Sequence, residues 1–427
     1  MNRNASDILI VGGGAAGMSA AFAATSGGGT NITIVDDNPH LGGQIWRAEL
    51  GKVRNADAAK LIEAIEAGRI GVVNSAQVFA AVSENKLLAE TPNGTTEFEY
   101  KKLIIATGAR ERFLPFPGWT LSGVFGAGGL QALVKGGLNV KNKRIVVAGT
   151  GPLLLAVADY LNSKGANVVA IVEQASARNI NRFALGLWNS PAKLIQAAAL
   201  KKRLFRIPYL TNTWIANVTC GSPRVSKGVT SNAAIKSLSL NLNRNGKTQT
   251  IECDHLACGF HLVPNTELAA LLGCKIEDGF VSVDGFQRTS LNNVYCAGEP
   301  TAIGGVEASL VEGKIAGYAA ADNEERSREL FTKRDKTRRF GNALNTAFAL
   351  RGELKTLADN ATIVCRCEDV QYEKLAAFDD WRTAKLQTRC GMGPCQGRIC
   401  GPATEFIFGW KPGPVRPPIF PVKLENL

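Results

Sequence analysis

A run of glycines between an apolar strand and a helix of small residues constrains this chain more than any other feature. Asp7-Ile-Leu-Ile-Val11 suits a buried parallel strand. Gly12-Gly-Gly14-Ala15-Ala16-Gly17 follows it, and Met18 to Thr25 reads as a helix stopped by Gly27-Gly28-Gly29. Asn31-Ile-Thr-Ile-Val35 is the next strand, closed by Asp36-Asp37. This is G-x-G-x-x-G in full context, with an acid 25 residues beyond Gly12. Gly12 permits the tight turn, Gly14 lets backbone approach a pyrophosphate, and Gly17 lets helix and strand pack closely. Ala15 and Ala16 open a helix whose free N–H groups face that anion. Asp37 is expected to take the ribose hydroxyl, with Asp36 as its competitor. The pattern predicts a dinucleotide site in an α/β fold. The 45 glycines among 427 residues exceed the usual share of roughly 7%.

The same plan recurs 137 residues later. Arg144-Ile-Val-Val-Ala148 is a strand, Gly149-Thr-Gly151-Pro152 a turn, Leu153 to Leu161 a helix, and Ala166 to Val172 a strand ending at Glu173. Leu154 stands where a third glycine is expected. Glu173, 24 residues after Gly149, suits a ribose diol and would repel a 2′-phosphate. A second site for NAD(H), or another adenine nucleotide, is therefore expected, against a duplicated domain that has lost nicotinamide. Short strands with turn signals fill Val72 to Tyr100, and a similar meander runs from about Ile215 to Ala257. The expected domains are a first dinucleotide fold over 1–118 and 259–325, a second over 119–258, a charged basic linker over 326–360, a cysteine module over 361–405 and a Pro-rich strap over 406–427.

Composition excludes several classes. The net charge is +12, but no Lys/Arg run is interleaved with aromatics, so a nucleic-acid surface is not expected. The most apolar stretches are broken by glycines and too short to span a membrane. The apolar run after Arg3 has a better explanation in the Gly turn than in a signal peptide. Ten cysteines accompany three histidines, and Cys365, Cys367, Cys390, Cys395 and Cys400 share one C-terminal stretch. Such clustering points to metal ligation, and a cytoplasmic protein is expected, free in solution or peripheral to the inner membrane through a complex. Cys365-Arg-Cys367, 27 further residues, and Cys395-x4-Cys400 fit either a [2Fe–2S] cluster or structural zinc.

Two distant segments carry a resemblance. Leu103-Ile-Ile-Ala-Thr107-Gly108 and Asn293-Val-Tyr-Cys-Ala-Gly298-Glu299, with Gly42-Gly43-Gln44, resemble flavoproteins that have two dinucleotide-binding domains. The resemblance implies FAD. Glu299 would hold its ribityl chain, where the family usually has Asp. The helix opening at Gly304-Gly305 would face the flavin N1/C2=O edge and stabilise anionic reduced flavin. Thr388-Arg-Cys-Gly-Met-Gly-Pro-Cys-Gln-Gly-Arg-Ile-Cys400 resembles the domain of bacterioferritin-associated ferredoxin. That implies [2Fe–2S] held by Cys365, Cys367, Cys395 and Cys400, with Cys390 spare and Arg366, Arg389 and Arg398 near enough in sequence to raise its potential.

Nearly the whole chain is similar to the FAD subunits of heteromeric amine dehydrogenases. That family holds the FAD subunits of opine oxidase and of hydrogen cyanide synthase, and the α subunits of dye-linked proline or hydroxyproline dehydrogenases. The motifs are Gly42-Gly-Gln-Ile-Trp-Arg47, Ala106-Thr-Gly-Ala-Arg-Glu-Arg112, Pro115-Phe-Pro-Gly118, Gly149-Thr-Gly-Pro-Leu-Leu-Leu155, Pro264-Asn-Thr-Glu-Leu268 and Arg416-Pro-Pro-Ile-Phe-Pro421. Arg47 joins the expected FAD contacts through this match. The resemblance implies that a second flavoprotein subunit, with or without a small third one, oxidises the C–N bond of an amino acid, imino acid or opine. The present chain would pass electrons on. The alternative is a self-sufficient NADH oxidase or ferredoxin reductase. A disulfide reductase is disfavoured, because no cysteine lies near Gly42-Gly43. Cys253 and Cys258, read on one strand, would sit about 16 Å apart, beyond the roughly 7 Å that a disulfide spans. His40, His255 and His261 form no acid–base constellation.

Overall fold

The computed structural model describes residues 2–28, 30–52, 55–68, 70–186, 191–221, 237–411 and 413–427. The chain divides into two units. The first gathers Met1–Arg110, Leu262–Asn342 and Pro414–Leu427, and the second Glu111–His261 and Ala343–Gly413.

The first unit is built on the strand Asn2–Val11, which lies parallel to both Ile32–Val35 and Gly94–Ile105. Val294–Cys296 pairs parallel with the far side of Gly94–Ile105. The expected meander is antiparallel through Gln77–Ser83, Lys86–Thr91 and Gly94–Ile105. Its expected first residues behave differently, because Gly71–Val73 extends the parallel part beside Ile32–Val35. The strands are apolar on both faces because both are covered: Ile10 and Ile104 pack under the helices, Leu9 and Leu103 among Val78, Leu87, Phe98 and Leu268, and all four are fully buried. Helix Ala15–Ala24 packs closely on helix Gly305–Ala320, since a Cβ at Gly313 or Gly317 would lie 2.2 Å from the Ala16 or Ala20 carbonyl oxygen.

In the second unit Arg144–Thr150 is the central parallel strand, flanked by Asn167–Glu173 and His255–Phe260. Tyr209–Leu210 and Val124–Gly126 complete this five-stranded sheet. A three-stranded antiparallel sheet, Thr213–Cys220, Leu238–Arg244 and Lys247–Cys253, forms the second meander. His255–Ala257 does not belong to it: these residues turn back into the parallel sheet. Cys253 and Cys258 accordingly lie on two strands of different sheets rather than on one, and both are fully buried.

The charged segment expected as a linker is helical, over Glu324–Arg328 and Phe331–Ala347. The cysteine module runs past 405, because helix Cys400–Phe408 continues and Trp410 stacks on Phe408 in the module's core. The tail packs as an extended strap. The Ile419 amide donates to the Phe79 carbonyl at 2.8 Å, and the Ile419 side chain joins the first unit's core. Among the described residues no helix is long and apolar enough to cross a membrane.

Candidate cofactor sites

In the first unit the Gly turn is shaped by close backbone approach. A Cβ at Gly12 would lie 2.2 Å from the Ala106 carbonyl oxygen, and one at Gly17 would lie 1.8 Å from that of Gly12. Gly14, which caps the helix, differs: a Cβ there meets only Gly43 Cα, at 3.8 Å. No steric demand of the protein forces glycine at 14, so the open space beside it is a cradle for a ligand.

The two acids after Val35 have different environments. Asp36 is buried; one carboxylate oxygen accepts from the Gly13 amide and the other from the Asn38 amide, at 2.7 Å for the latter. It fixes the turn from within. Asp37 is exposed, touched by Asn38 Nδ2 at 2.6 Å. Asp37 is therefore the acid that faces outward at the expected ribose position. Arg47 donates to Asn38 and Gln44, at 3.1 and 2.8 Å, while its Nε is buried without a hydrogen-bond partner. The Gly42 amide donates to the Gly13 carbonyl, which holds the Gly43–Arg47 stretch beside the turn.

Thr107 and Gly108 are organised by Asn265, which the sequence shows only as part of a motif. The Thr107 hydroxyl donates to the Asn265 carbonyl at 2.6 Å, and Asn265 Nδ2 donates to the Thr107 carbonyl at 2.9 Å. Arg110 ties the Asn265 side chain to Glu267. Gly298 is held by Glu312, whose carboxylate accepts from the Gly298 amide and from Thr301. Glu299, next in sequence, has no such support: burial alone pushes its carboxyl up to about 7. Gly305 is exposed at the first turn of its helix. An orphaned guanidinium nitrogen, an unsupported, half-buried carboxyl and an open glycine cradle in one unit fit a polar, phosphate-bearing cofactor such as FAD.

The second Gly turn is built differently, although the Cβ position of Gly151 is open like that of Gly14. Gly149 packs on Gly259, and Leu154 is fully buried in the helix–sheet core where Gly17 sits in the first fold. Glu173 is fully buried, with carboxylate oxygens accepting from the Gly151 and Ala175 amides at 2.7 and 2.8 Å. Burial outweighs these bonds and pushes its carboxyl up to about 7. Pro152 follows as the first residue of its helix.

Also in the second unit, Cys365 ends the strand Ile363–Cys365, and Cys400 opens helix Cys400–Phe408. Their sulfurs and that of Cys390 lie within 4.8 Å of one another, all buried. Hydrogen bonds from Cys390 and Cys400, and the amides of Gly391 and Glu368, favour the thiolate of Cys365. Cys367, exposed, contacts Cys395 instead. Geometry thus gathers the expected spare thiol with two expected ligands and leaves the other two as a pair. The loop owes its path to Gly391, where a Cβ would strike the Trp381 ring at 2.8 Å, and to Gly393, where one would strike Cys367 Cβ at 2.3 Å. A sulfur-only donor set with backbone amides aimed at one sulfur fits an iron–sulfur centre. Of the nearby arginines, Arg389 is paired with Glu368 at 2.8 Å.

His255 and His261 lie in the second unit, and burial lowers the pKa of both. His40 is exposed in the first.

Two Gly-turn folds of this kind in one chain define an α/β oxidoreductase of the type that binds FAD and NAD(P). The chain belongs to the pyridine nucleotide-disulphide oxidoreductase family, whose profile matches residues 6–321. Membership implies FAD binding. The chain is 29% identical over 408 residues to hydrogen cyanide synthase subunit HcnB of Pseudomonas protegens, covering 87% of this chain and 85% of that one. It is 29% identical over 474 residues to an opine oxidase subunit of Agrobacterium tumefaciens, covering 99% and 91%. Among solved structures, L-proline dehydrogenase from P. horikoshii is similar with a TM-score of 0.66 at 16% identity, over 100% of this chain and 80% of that one, a likeness of fold.

Proposed function

We propose that this chain is the FAD- and [2Fe–2S]-carrying electron-transfer subunit of a heteromeric oxidoreductase that oxidises the C–N bond of an amino acid, imino acid or opine. The observation that carries the reading is the buried thiol group of Cys365, Cys390 and Cys400 in a chain that also holds a complete Gly-turn cradle. FAD supplies two-electron acceptance with release one electron at a time, and the cluster takes single electrons.

The chain's residues bind and orient. The Gly12–Gly17 turn and its helix receive the pyrophosphate, and Asp37 the adenosine ribose. Glu299 holds the ribityl chain, and Arg47, Gln44, Thr107 and Gly108 border the cofactor. Cys365, Cys367, Cys395 and Cys400 hold the cluster, with Cys390 against them. Both relatives carry "subunit" in their names, which supports a separate partner that performs the amine chemistry. The complex is expected to work in the cytoplasm or at the inner membrane's cytoplasmic face.

Anaerobic reduction tests the proposal. The isolated chain, mixed with proline, hydroxyproline, sarcosine, glycine and opines, keeps an oxidised flavin spectrum. With its partner added, reduction becomes substrate-dependent. Fast bleaching of the isolated chain by any of these amines would place the amine site here and overturn the relay.

A further inference from the structure

The two Gly turns are related position by position. Val11 pairs with Val35 in the first fold and Ala148 with Val172 in the second, so Gly12, Asp36, Asp37 and Asn38 correspond to Gly149, Glu173, Gln174 and Ala175. The hydrogen bond from the amide two residues on agrees between the folds, while the bond to the turn shifts by one residue, from Gly13 to Gly151. Asp36 accepts from the Gly13 and Asn38 amides, and Glu173 from the Gly151 and Ala175 amides. Asp36 and Glu173 are thus the inward acids that fasten their turns. The outward position is Asp37 in one fold and Gln174 in the other.

Asp37 is exposed, but Gln174 is fully buried, and what buries it is the chain itself. Gln174 Nε2 donates to the Ala349 carbonyl at 3.0 Å, and its Oε1 accepts from the Arg351 amide at 3.3 Å. Thr150, the middle residue of the second Gly turn, reaches the Phe348 carbonyl through its hydroxyl at 3.1 Å. Phe348 is buried and packs edge-on against Phe183, in a small apolar cluster with Ala175 and Ala347. Arg351 completes the closure, with its guanidinium 4.6 Å above the Trp214 ring.

We infer that the second dinucleotide fold is occupied by the chain's own segment Ala347–Arg351, which takes the adenosine position and leaves no site for NAD(H) or another adenine nucleotide. A ribose there would find Glu173 spent on backbone amides and Gln174 spent on peptide groups. The second fold serves as a scaffold, and reducing equivalents enter through a reaction on another subunit that delivers them to the flavin, not from a reduced nicotinamide. This last step rests on the relay reading above.

Calorimetric titration of the FAD-loaded chain with NADH, NAD⁺, ATP and ADP, beside hydrogen–deuterium exchange of peptides spanning 343–352, tests the inference. The expected result is no binding below millimolar concentration and slow exchange in that segment. Gln174→Ala, which removes the latch without touching the sheet core, is expected to speed exchange there at least tenfold. Micromolar binding of any of the four nucleotides would overturn the inference, as would fast exchange of 343–352 in the unaltered chain or no change in Gln174→Ala. Nucleotide binding without flavin bleaching would overturn self-occupancy alone. Rapid bleaching by NADH would also overturn the relay, which the amine experiment tests separately.

Discussion

Arg338 donates through Nε to the buried carboxylate of Glu312 at 2.7 Å, and the other oxygen of Glu312 holds the Gly298 amide at 3.1 Å. A residue from a strongly basic helix thus fixes the turn that presents Glu299. Arg338→Ala would leave Glu312, 1% exposed, without its cation. Removing one partner of a fully buried pair costs about 3–5 kcal/mol, and since Arg338 is partly exposed about 2–3 kcal/mol is expected here. Flavin occupancy should fall with it, and Arg338→Lys should recover part of both. Denaturant unfolding and the flavin-to-protein absorbance ratio measure these. Unchanged stability and occupancy in Arg338→Ala would show that the pair does not support the turn.

Gly14 gives the cleanest separation of ligand from fold. Its Cβ position is open except for Gly43 Cα at 3.8 Å, and its backbone is extended, so a side chain is tolerated by the protein. Gly14→Val should fold with near-normal circular dichroism and purify without flavin. Gly17→Val is the contrasting variant: its side chain would meet the Gly12 carbonyl, and misfolding is expected. Yellow, fully loaded Gly14→Val protein would contradict FAD at this turn.

These turns are legible in the sequence because steric demand is local: glycine at 12 and 17 follows from strand and helix meeting across a few residues. The parallel strands are legible for the same reason, as apolar runs bounded by turns. Arg338 is not, because a basic helix contact 26 residues from Glu312 looks like any solvated charge until the helices pack. Nor is the latch on Gln174, whose partners lie some 175 residues away. Glu173 and Gln174 are adjacent, and only the sheet register distinguishes the inward position from the outward one. The resemblance to the ferredoxin domain makes Cys390 the spare thiol, whereas its placement follows from the loop's path around Trp381.

Glu299 predicts a pH effect in the flavin-free protein. Its ordinary pKa of 4.5 rises to about 7 on folding, through burial. The folded state therefore holds the proton over a range where the unfolded chain has lost it. Below about 4.5 both states are protonated and burial carries no charge penalty. As pH rises from 4.5 to 7 the penalty develops, and above 7 it is complete, about 1–3 kcal/mol. Glu299→Gln removes the titration. It should be more stable than the unaltered chain at pH 8 by about that amount, with the difference shrinking toward pH 5. Chemical denaturation at the two pH values checks the sign, and a difference independent of pH would show that Glu299 does not titrate in this range.

The thiol geometry sets up the last prediction, on ligand choice. Serine at 365 or 400 removes a sulfur from the buried trio and should abolish the iron–sulfur absorbance, since each is both an expected ligand and a member of that trio. Serine at 367 or 395 should also lose the cluster, because the exposed Cys367 and its contact Cys395 are the two further thiolates expected of a four-thiolate site. Cys390→Ser should keep two irons per chain. Its electron paramagnetic resonance spectrum should nevertheless shift, because a thiol within 4.8 Å of two ligand sulfurs polarises them. Iron analysis of anaerobic preparations and spectra after dithionite reduction give both readouts. Zinc in place of iron would refute the cluster. Iron retained in Cys395→Ser but lost in Cys390→Ser would move the third ligand to Cys390, as the spacing of the buried sulfurs allows.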